Sequence, residues 1–159
     1  MKVVFDTSVV VAGSIARHVH EARAAAWFTA AREGRISAAV TSHTLAETWA
    51  TMTALPIQPA VPPALIDRVI ERFRSHIELL ELSWSDYTAA MRRCSDRGLR
   101  SGVIYDALHL AAAERWRADV FLSFNLADFA RMSTESGPVI AAPPDPPGLD
   151  IAAHKAAGR

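Results

Sequence analysis

The sequence has only one cysteine, Cys94, so no disulfide can form within the chain, and a reducing compartment such as the cytoplasm is expected. It has no excess charge of either sign, because 17 Lys and Arg balance 17 Asp and Glu. No overall field therefore favours nucleic acid or a membrane, and such a partner would need a local patch. No apolar run approaches the roughly 18 residues of a membrane span. The first residues are not expected to form a signal peptide, because Asp6 interrupts their apolar run.

Half of the 159 residues are hydrophobic and 21% are charged, a composition typical of one globular domain. Short apolar runs alternate with longer segments of helical periodicity. The predicted strands cover 2–5, 36–40, 77–82 and 119–123, with a short edge strand at 139–140. This alternation predicts an α/β fold over residues 1–142: a three-layer α/β/α domain with a central parallel sheet of four to five strands flanked by helices. The proline-rich residues 143–159 are expected to form a tail.

Helical spacing also predicts which side chains are buried. The helix over 43–53 is expected to turn Trp49 toward the core, and the helix over 64–74 to bury Leu65 and Phe73. These assignments assume that apolar residues at helical spacing mark the inner face of each helix.

Three carboxylates stand where predicted strands end or helices begin, each within an otherwise apolar stretch: Asp6, Glu47 and Asp106. Each has a structural explanation. Asp6 can cap the helix that follows it, Thr44 and Glu47 have the spacing of a capping box, and Asp106 can complement a helix N-terminus. Because parallel strands bring their carboxyl ends to one edge of a sheet, we expect all three acids to meet there.

Such a cluster requires a counter-charge. Two carboxylates about 5 Å apart repel by about 3 kcal/mol at an effective dielectric of 20, so three pairs cost on the order of 10 kcal/mol. Oxygen ligands favour Mg²⁺, or Mn²⁺, over zinc. An ion of this kind can activate water and stabilise charge on a phosphoryl group. The acids therefore indicate metal-dependent phosphodiester hydrolysis.

Four segments carry a family resemblance: FDTSVV at the start, LAE ending at Glu47, YDALHLAAA around Asp106, and FLSFNLADF. In this order and spacing they resemble a PIN domain, specifically a VapC-type toxin ribonuclease of a type II toxin–antitoxin system, from about residue 2 to 140. The resemblance implies a parallel sheet flanked by helices, a Mg²⁺- or Mn²⁺-dependent endoribonuclease, a homodimer, and a small cognate antitoxin. It assigns catalytic and metal-binding roles to Asp6, Glu47 and Asp106.

The fourth acidic position of the family is different in this chain. Ser123 corresponds to the hydroxyl at the end of the fourth strand, and Asn125 stands where family members often carry an acid. Asparagine adds no charge but can orient a water or a hydrated metal, so we keep Asn125 as a catalytic residue and expect one metal rather than two. Asp128 either compensates for the missing acid or belongs to a helix N-terminus.

Other residues have weaker functional interpretations. Thr7 can hold a phosphate or a water, or cap a helix, and His109 either faces the substrate or is structural. Three arginines in loops beside the acidic edge are candidates for RNA phosphate contacts or ordinary solvated charges: Arg17, Arg97 and Arg100. His18 and His20 lack the ligand spacing of a zinc site.

Three other functions remain open. A phosphatase related to haloacid dehalogenases would have a second aspartate at position 8, where this chain has Ser8. A catalytically impaired protein of the same fold would serve as a protein-binding module, and the neutral Asn125 is compatible with it. A DNA-directed nuclease would use the same metal site. No residue pattern reads the 2′-hydroxyl, so the choice of RNA comes from the resemblance alone.

Overall fold

A central parallel sheet of five strands organises the computed structural model, which describes residues 1–145. The strands are β1 (Lys2–Phe5), β2 (Ser37–Thr41), β3 (Ile77–Leu80), β4 (Val120–Leu122) and β5 (Val139–Ala141). Their order across the sheet is β3-β2-β1-β4-β5, so β1 lies at the centre. The predicted parallel sheet is confirmed. Most of the predicted tail lies outside the described residues, so its boundary stays a prediction.

Helices cover both faces of this sheet. They are α1 (Thr7–Ser14), α2 (Glu21–Arg32), α3 (Ser42–Thr53), α4 (Pro63–Phe73), α5 (Trp84–Asp96), α6 (Val103–Arg115) and α7 (Leu126–Ala130). Alternate residues of β1 point to opposite faces. Val3 and Phe5 pack in one apolar cluster with α1 and α2, whereas Val4 packs in another with α5 and α6. This arrangement is the predicted three-layer α/β/α architecture. Over residues 1–145, no helix is both long and apolar enough to traverse a bilayer.

The register of β1 determines what lies at its carboxyl end. Val4 is opposite Ala39 of β2 and Phe121 of β4, and all three strands run in the same direction. The backbone N–H of Asp6 donates to the carbonyl of Leu122 at 2.9 Å, which continues the pairing one residue beyond the strand. The residues that follow β1, β2 and β4 therefore emerge at one edge of the sheet.

The prediction that Trp49 and Leu65 face the core is wrong. Trp49 is 45% exposed and Leu65 is 48% exposed. The buried face of α3 consists of Thr44, Thr48 and Met52, which recur every four residues and so lie on one side of the helix. Two of these three side chains are small, which allows the helix to pack closely against its neighbours. Trp49 follows Thr48 by one residue and therefore points about 100° away from the buried face.

A buried ion pair ties α5 to α6. Asp86 is 2% exposed, and its Oδ1 lies 2.9 Å from Nε of Arg115. It also accepts the backbone N–H of Ser83 and closes a capping box at the start of α5. Burial opposes ionisation, but hydrogen bonds from Arg115 and Ser83 outweigh it and lower the pKa of Asp86.

Asp86→Asn should destabilise the fold by about 1.5 kcal/mol, because it leaves Arg115 without its charged partner. The cost stays below that of a fully buried pair because the Arg115 side chain is 43% exposed. The stabilisation from the lowered pKa is present above the ordinary carboxyl value and is lost as the pH falls below it. Urea unfolding at pH 7 should show the full difference in the free energy of unfolding between wild type and Asp86→Asn. At pH 3 this difference should be smaller. Equal stability at pH 7 would contradict this account.

Candidate active site

A cavity of about 510 Å³ opens at the carboxyl edge of the sheet, beside the end of β1. The four residues predicted from the sequence line it: Asp6, Glu47, Asp106 and Asn125. They come from the β1–α1 junction, from α3, from the first turn of α6, and from the residue before α7. The topology thus brings together positions that are up to 119 residues apart in the chain. Their chemical roles stay predictions.

Two serines hold Asp6 in place. Ser8 Oγ and Ser123 Oγ each donate to Asp6 Oδ2 at 2.7 Å, and Asp6 is only 5% exposed. Each serine also accepts a backbone N–H: Ser8 from Phe124 at 2.9 Å, and Ser123 from Asn125 at 2.9 Å. Asp6 also caps α1, as the sequence suggested. Among the described residues, these hydrogen bonds reach only Oδ2, so the capping role leaves Oδ1 available to a ligand.

Asp106 is the carboxylate whose charge is least compensated. Within residues 1–145, its side chain makes no hydrogen bond, although it lies in the first turn of α6. Burial, followed by the negative charge of Asp6, raises the pKa of Asp106 to about 6, and the charges of Asp128 and Glu47 contribute in the same direction. The N-terminus of α6 favours the charged form of a carboxylate in its first turn, so this position does not account for the raised pKa of Asp106.

Glu47 has the opposite environment. Its Oε2 accepts from Thr7 Oγ1 at 2.6 Å and lies 3.0 Å from His109 Nε2, and its Oε1 lies 3.4 Å from His43 Nε2. Burial would raise the pKa of Glu47, but hydrogen bonds from His109 and Thr7 outweigh it and lower the pKa to about 2. Thr41, not Thr44, caps α3, so Glu47 does not form the alternative capping box.

Asn125 and Asp128 bind each other. Asn125 Nδ2 donates to Asp128 Oδ2 at 2.6 Å, and Asp128 Oδ1 also accepts from Arg131 at 2.6 Å. Asn125 occupies the N-cap position of α7 without a capping hydrogen bond from its side chain, and Asp128 lies in the first turn of this helix. Asp128 is engaged by two donors and contributes mainly its negative charge to the site. Asn125 retains its carbonyl oxygen for a ligand in the cavity.

The donor set fits a hard divalent cation. Asp6 has a free oxygen and Asp106 has two, and burial, followed by the negative charge of Asp6, raises the pKa of Asp106. Nevertheless, within residues 1–145, no three His, Cys, Asp or Glu side chains are close enough to hold one ion among them. Glu47 Oε2 is already engaged by Thr7 and His109. Asp6 and Asp106 are therefore carboxylates of this cavity with an oxygen that makes no hydrogen bond in the described part of the chain.

Aromatic side chains that the sequence analysis did not assign to the site form one wall of the cavity. His18, His20 and Phe124 line it, and the rings of His20 and Phe124 stack at 4.2 Å and 13°. The sequence analysis assigned His18 and His20 no role beyond an unsupported zinc site, so it did not predict that they line this cavity. Arg97, by contrast, donates to the carbonyls of Arg131 and Ser133, which does not support its predicted contact with RNA.

Comparison with known proteins identifies the family. The family model described as PIN domain matches residues 3–135, most of the chain. The chain belongs to the PIN domain family. No curated protein sequence matches it.

Solved structures share the fold of this PIN domain. VapBC2 from Rickettsia felis bound to a promoter DNA fragment is 16% identical, with a TM-score of 0.64 over 89% of this chain and 98% of the other. VapC20 from Mycobacterium tuberculosis, a sarcin-ricin loop cleaving toxin, is 14% identical, with 0.66 over 86% and 99%. DNA-bound VapBC from Salmonella typhimurium is 19% identical, with 0.64 over 89% and 98%. PIN nucleases generally use divalent metal ions, which agrees with the oxygen donors in this cavity.

Proposed function

We propose that this PIN domain is a metal-dependent endoribonuclease and the toxin of a toxin–antitoxin pair. The observation that carries the proposal is the pair Asp6 and Asp106: two carboxylates in one cavity, with free oxygens and mutually unfavourable charges. Such an arrangement is costly unless a cation offsets it. Perturbed carboxylates in a cleft are typical of functional sites rather than structural ones.

Each residue has a distinct task in this proposal. Asp6 and Asp106 hold a Mg²⁺ ion, for which Mn²⁺ can substitute, and Glu47 completes the acidic set from a position fixed by Thr7 and His109. A bound ion supplies Lewis acidity: it stabilises negative charge on the phosphoryl oxygens and lowers the pKa of water. Asn125 offers its carbonyl oxygen to orient a water without adding charge.

RNA and protein partners belong to the same proposal. The aromatic wall of His18, His20 and Phe124 gives the cavity surfaces that a nucleotide can contact. The neighbour VapC20 is a sarcin-ricin loop cleaving toxin, and other neighbours are VapBC complexes. We therefore propose a cytoplasmic homodimer that a cognate antitoxin inhibits.

The test uses the purified protein with matched RNA and DNA oligonucleotides of one sequence. Cleavage of RNA with Mg²⁺, its loss on adding EDTA, and its return on adding excess Mn²⁺ are the expected results. Cleavage of the DNA strand at the same rate would replace the proposal with a DNA-directed nuclease. If the protein binds an antitoxin but cleaves neither total RNA nor DNA, it is the catalytically impaired binding module.

Ser123→Ala should lower the cleavage rate about tenfold, because it removes one of the two hydroxyls that orient Asp6. The remaining donor, Ser8, keeps the carboxylate partly in place. Rates at saturating Mg²⁺, together with the Mg²⁺ concentration at half-maximal rate, measure the effect. Ser133→Ala, at an exposed serine outside the cavity, is the control. An unchanged rate in the Ser123 variant would show that Ser8 alone positions Asp6.

A further inference from the structure

His109 is a buried polar side chain between the core and the cavity. It is 1% exposed and lies on α6, one turn after Asp106. Both ring nitrogens have partners: Nδ1 lies 2.8 Å from Thr41 Oγ1, and Nε2 lies 3.0 Å from Glu47 Oε2. A buried histidine with two polar partners is held in one orientation.

The contact with Glu47 has a defined direction. A carboxylate oxygen only accepts hydrogen bonds, so Nε2 of His109 must carry a proton and donate it. On the other side of the ring, Thr41 is itself fixed, because its hydroxyl accepts the backbone N–H of Thr44 at 3.1 Å and caps α3. The end of β2 thus orients a ring on α6, and that ring orients a carboxylate on α3.

The other partners of Glu47 are less constrained. His43 Nε2 lies 3.4 Å from Oε1, its side chain is 25% exposed, and it stacks on Tyr105 at the surface. Thr7, the first residue of α1, donates at 2.6 Å to Oε2, the same oxygen that His109 contacts, but Thr7 is only partly buried. Only His109 among these three is buried, so its loss cannot be replaced by water entering from the solvent at low cost.

We propose that His109 is a positioning residue: it donates from Nε2 to Glu47 and fixes that carboxylate at the rim of the metal-binding cavity. The proposal deepens the proposed function, and its effect on metal binding rests on that function. His109 contacts neither the substrate nor the ion in this account. Partners that orient the groups around a metal typically change its affinity 10- to 100-fold when removed.

Three substitutions separate positioning from a merely structural role. Glutamine places an amide nitrogen about as far along the side chain as Nε2, so His109→Gln keeps a donor to Glu47. Asparagine reaches only about as far as Nδ1, so His109→Asn keeps the contact with Thr41 and loses Glu47. Leucine removes both contacts. Asp86→Asn serves as a control that loses stability without touching the cavity.

The main measurement is Mg²⁺ binding by calorimetry on each variant without RNA, alongside urea unfolding. We expect His109→Asn and His109→Leu to bind Mg²⁺ at least tenfold more weakly than wild type. His109→Gln should stay within about threefold, and the Asp86 control should bind as wild type does. Wild-type affinity in His109→Asn, or an equal loss in the Asn and Gln variants, would overturn the proposal.

Nitrogen NMR of the histidine rings separates failure of this inference from failure of the proposed function. In the wild-type protein without metal, we expect the spectrum to show that Nε2 of His109 carries the proton. If the wild-type protein does not bind Mg²⁺, the nuclease proposal fails. The contact with Glu47 is still supported if Nε2 of His109 is protonated in wild type and its NMR signal changes in Glu47→Ala. A proton found only on Nδ1 would overturn it whatever the metal result.

Discussion

Asp106→Asn should reduce RNA cleavage by about a thousandfold or more while leaving the fold intact. Asparagine has nearly the same shape as aspartate, so packing at the start of α6 is preserved. It removes one of the two carboxylates that we propose as direct metal ligands, and the barrier should rise by about 4 kcal/mol. The measurement is a single-turnover cleavage rate on RNA at saturating Mg²⁺.

Asp67→Asn is the matched control for this prediction. Asp67 lies on α4, is exposed, and does not line the cavity, so the same chemical change should leave the rate within about twofold. If growth arrest follows expression of wild type, Asp106→Asn should relieve it and Asp67→Asn should not. Cleavage by Asp106→Asn at the wild-type rate would refute the assignment of Asp106 and, with it, the proposed metal site.

The part of the site that follows β1 could be predicted from the sequence, because it depends on apolar periodicity and on the order of strands and helices along the chain. An apolar run that ends on Asp6 predicts a buried strand with a carboxylate at its end. Alternation of strands and helices then predicts a parallel sheet and a shared edge for Asp6, Glu47 and Asp106. These rules use the order of residues and need no knowledge of side-chain packing.

What the sequence could not predict depends on contacts between distant side chains. The contact of His109 with Glu47 joins residues 62 positions apart, and a lone histidine on a helix has no pattern that reveals such a partner. The face of α3 was misassigned because the spacing of its apolar residues was taken as the mark of burial, whereas two threonines, Thr44 and Thr48, lie on the buried face. The sequence did hold a signal for these two histidines: His18 and His20 lie in the loop after α1, the helix that Asp6 caps.

Without metal at pH 7.5, Asp106→Asn should make the protein more stable than wild type by about 2 kcal/mol. The pKa of Asp106 is raised from 3.8 to about 6, chiefly by burial and then by Asp6. A shift of this size corresponds to about 3 kcal/mol, which solvent around a half-buried group reduces to about 2. Stability gained by removing a carboxylate is characteristic of a site whose charge awaits a ligand.

The pH dependence of this difference has a definite sign. Between about pH 4 and pH 6 the folded protein retains a proton on Asp106 that the unfolded chain has released, so wild-type stability falls as the pH rises through that window. Above about pH 6, the loss of stability from the ionised Asp106 is complete and no longer changes with pH. The advantage of Asp106→Asn should therefore shrink by more than half at pH 4.5. Below that pH, stability contributed by Glu47, whose pKa is lowered to about 2, is lost equally in both proteins.

Mg²⁺ should reverse the order of stability. An ion that binds only the folded state at about 100 times its dissociation constant adds about 2.7 kcal/mol, and wild type should gain this while Asp106→Asn gains little. Urea unfolding in EDTA and then in excess Mg²⁺ measures both effects without any RNA. A variant that is no more stable than wild type in EDTA would mean that protein groups already neutralise Asp106. The charge in the cavity would then give no reason to infer a bound cation.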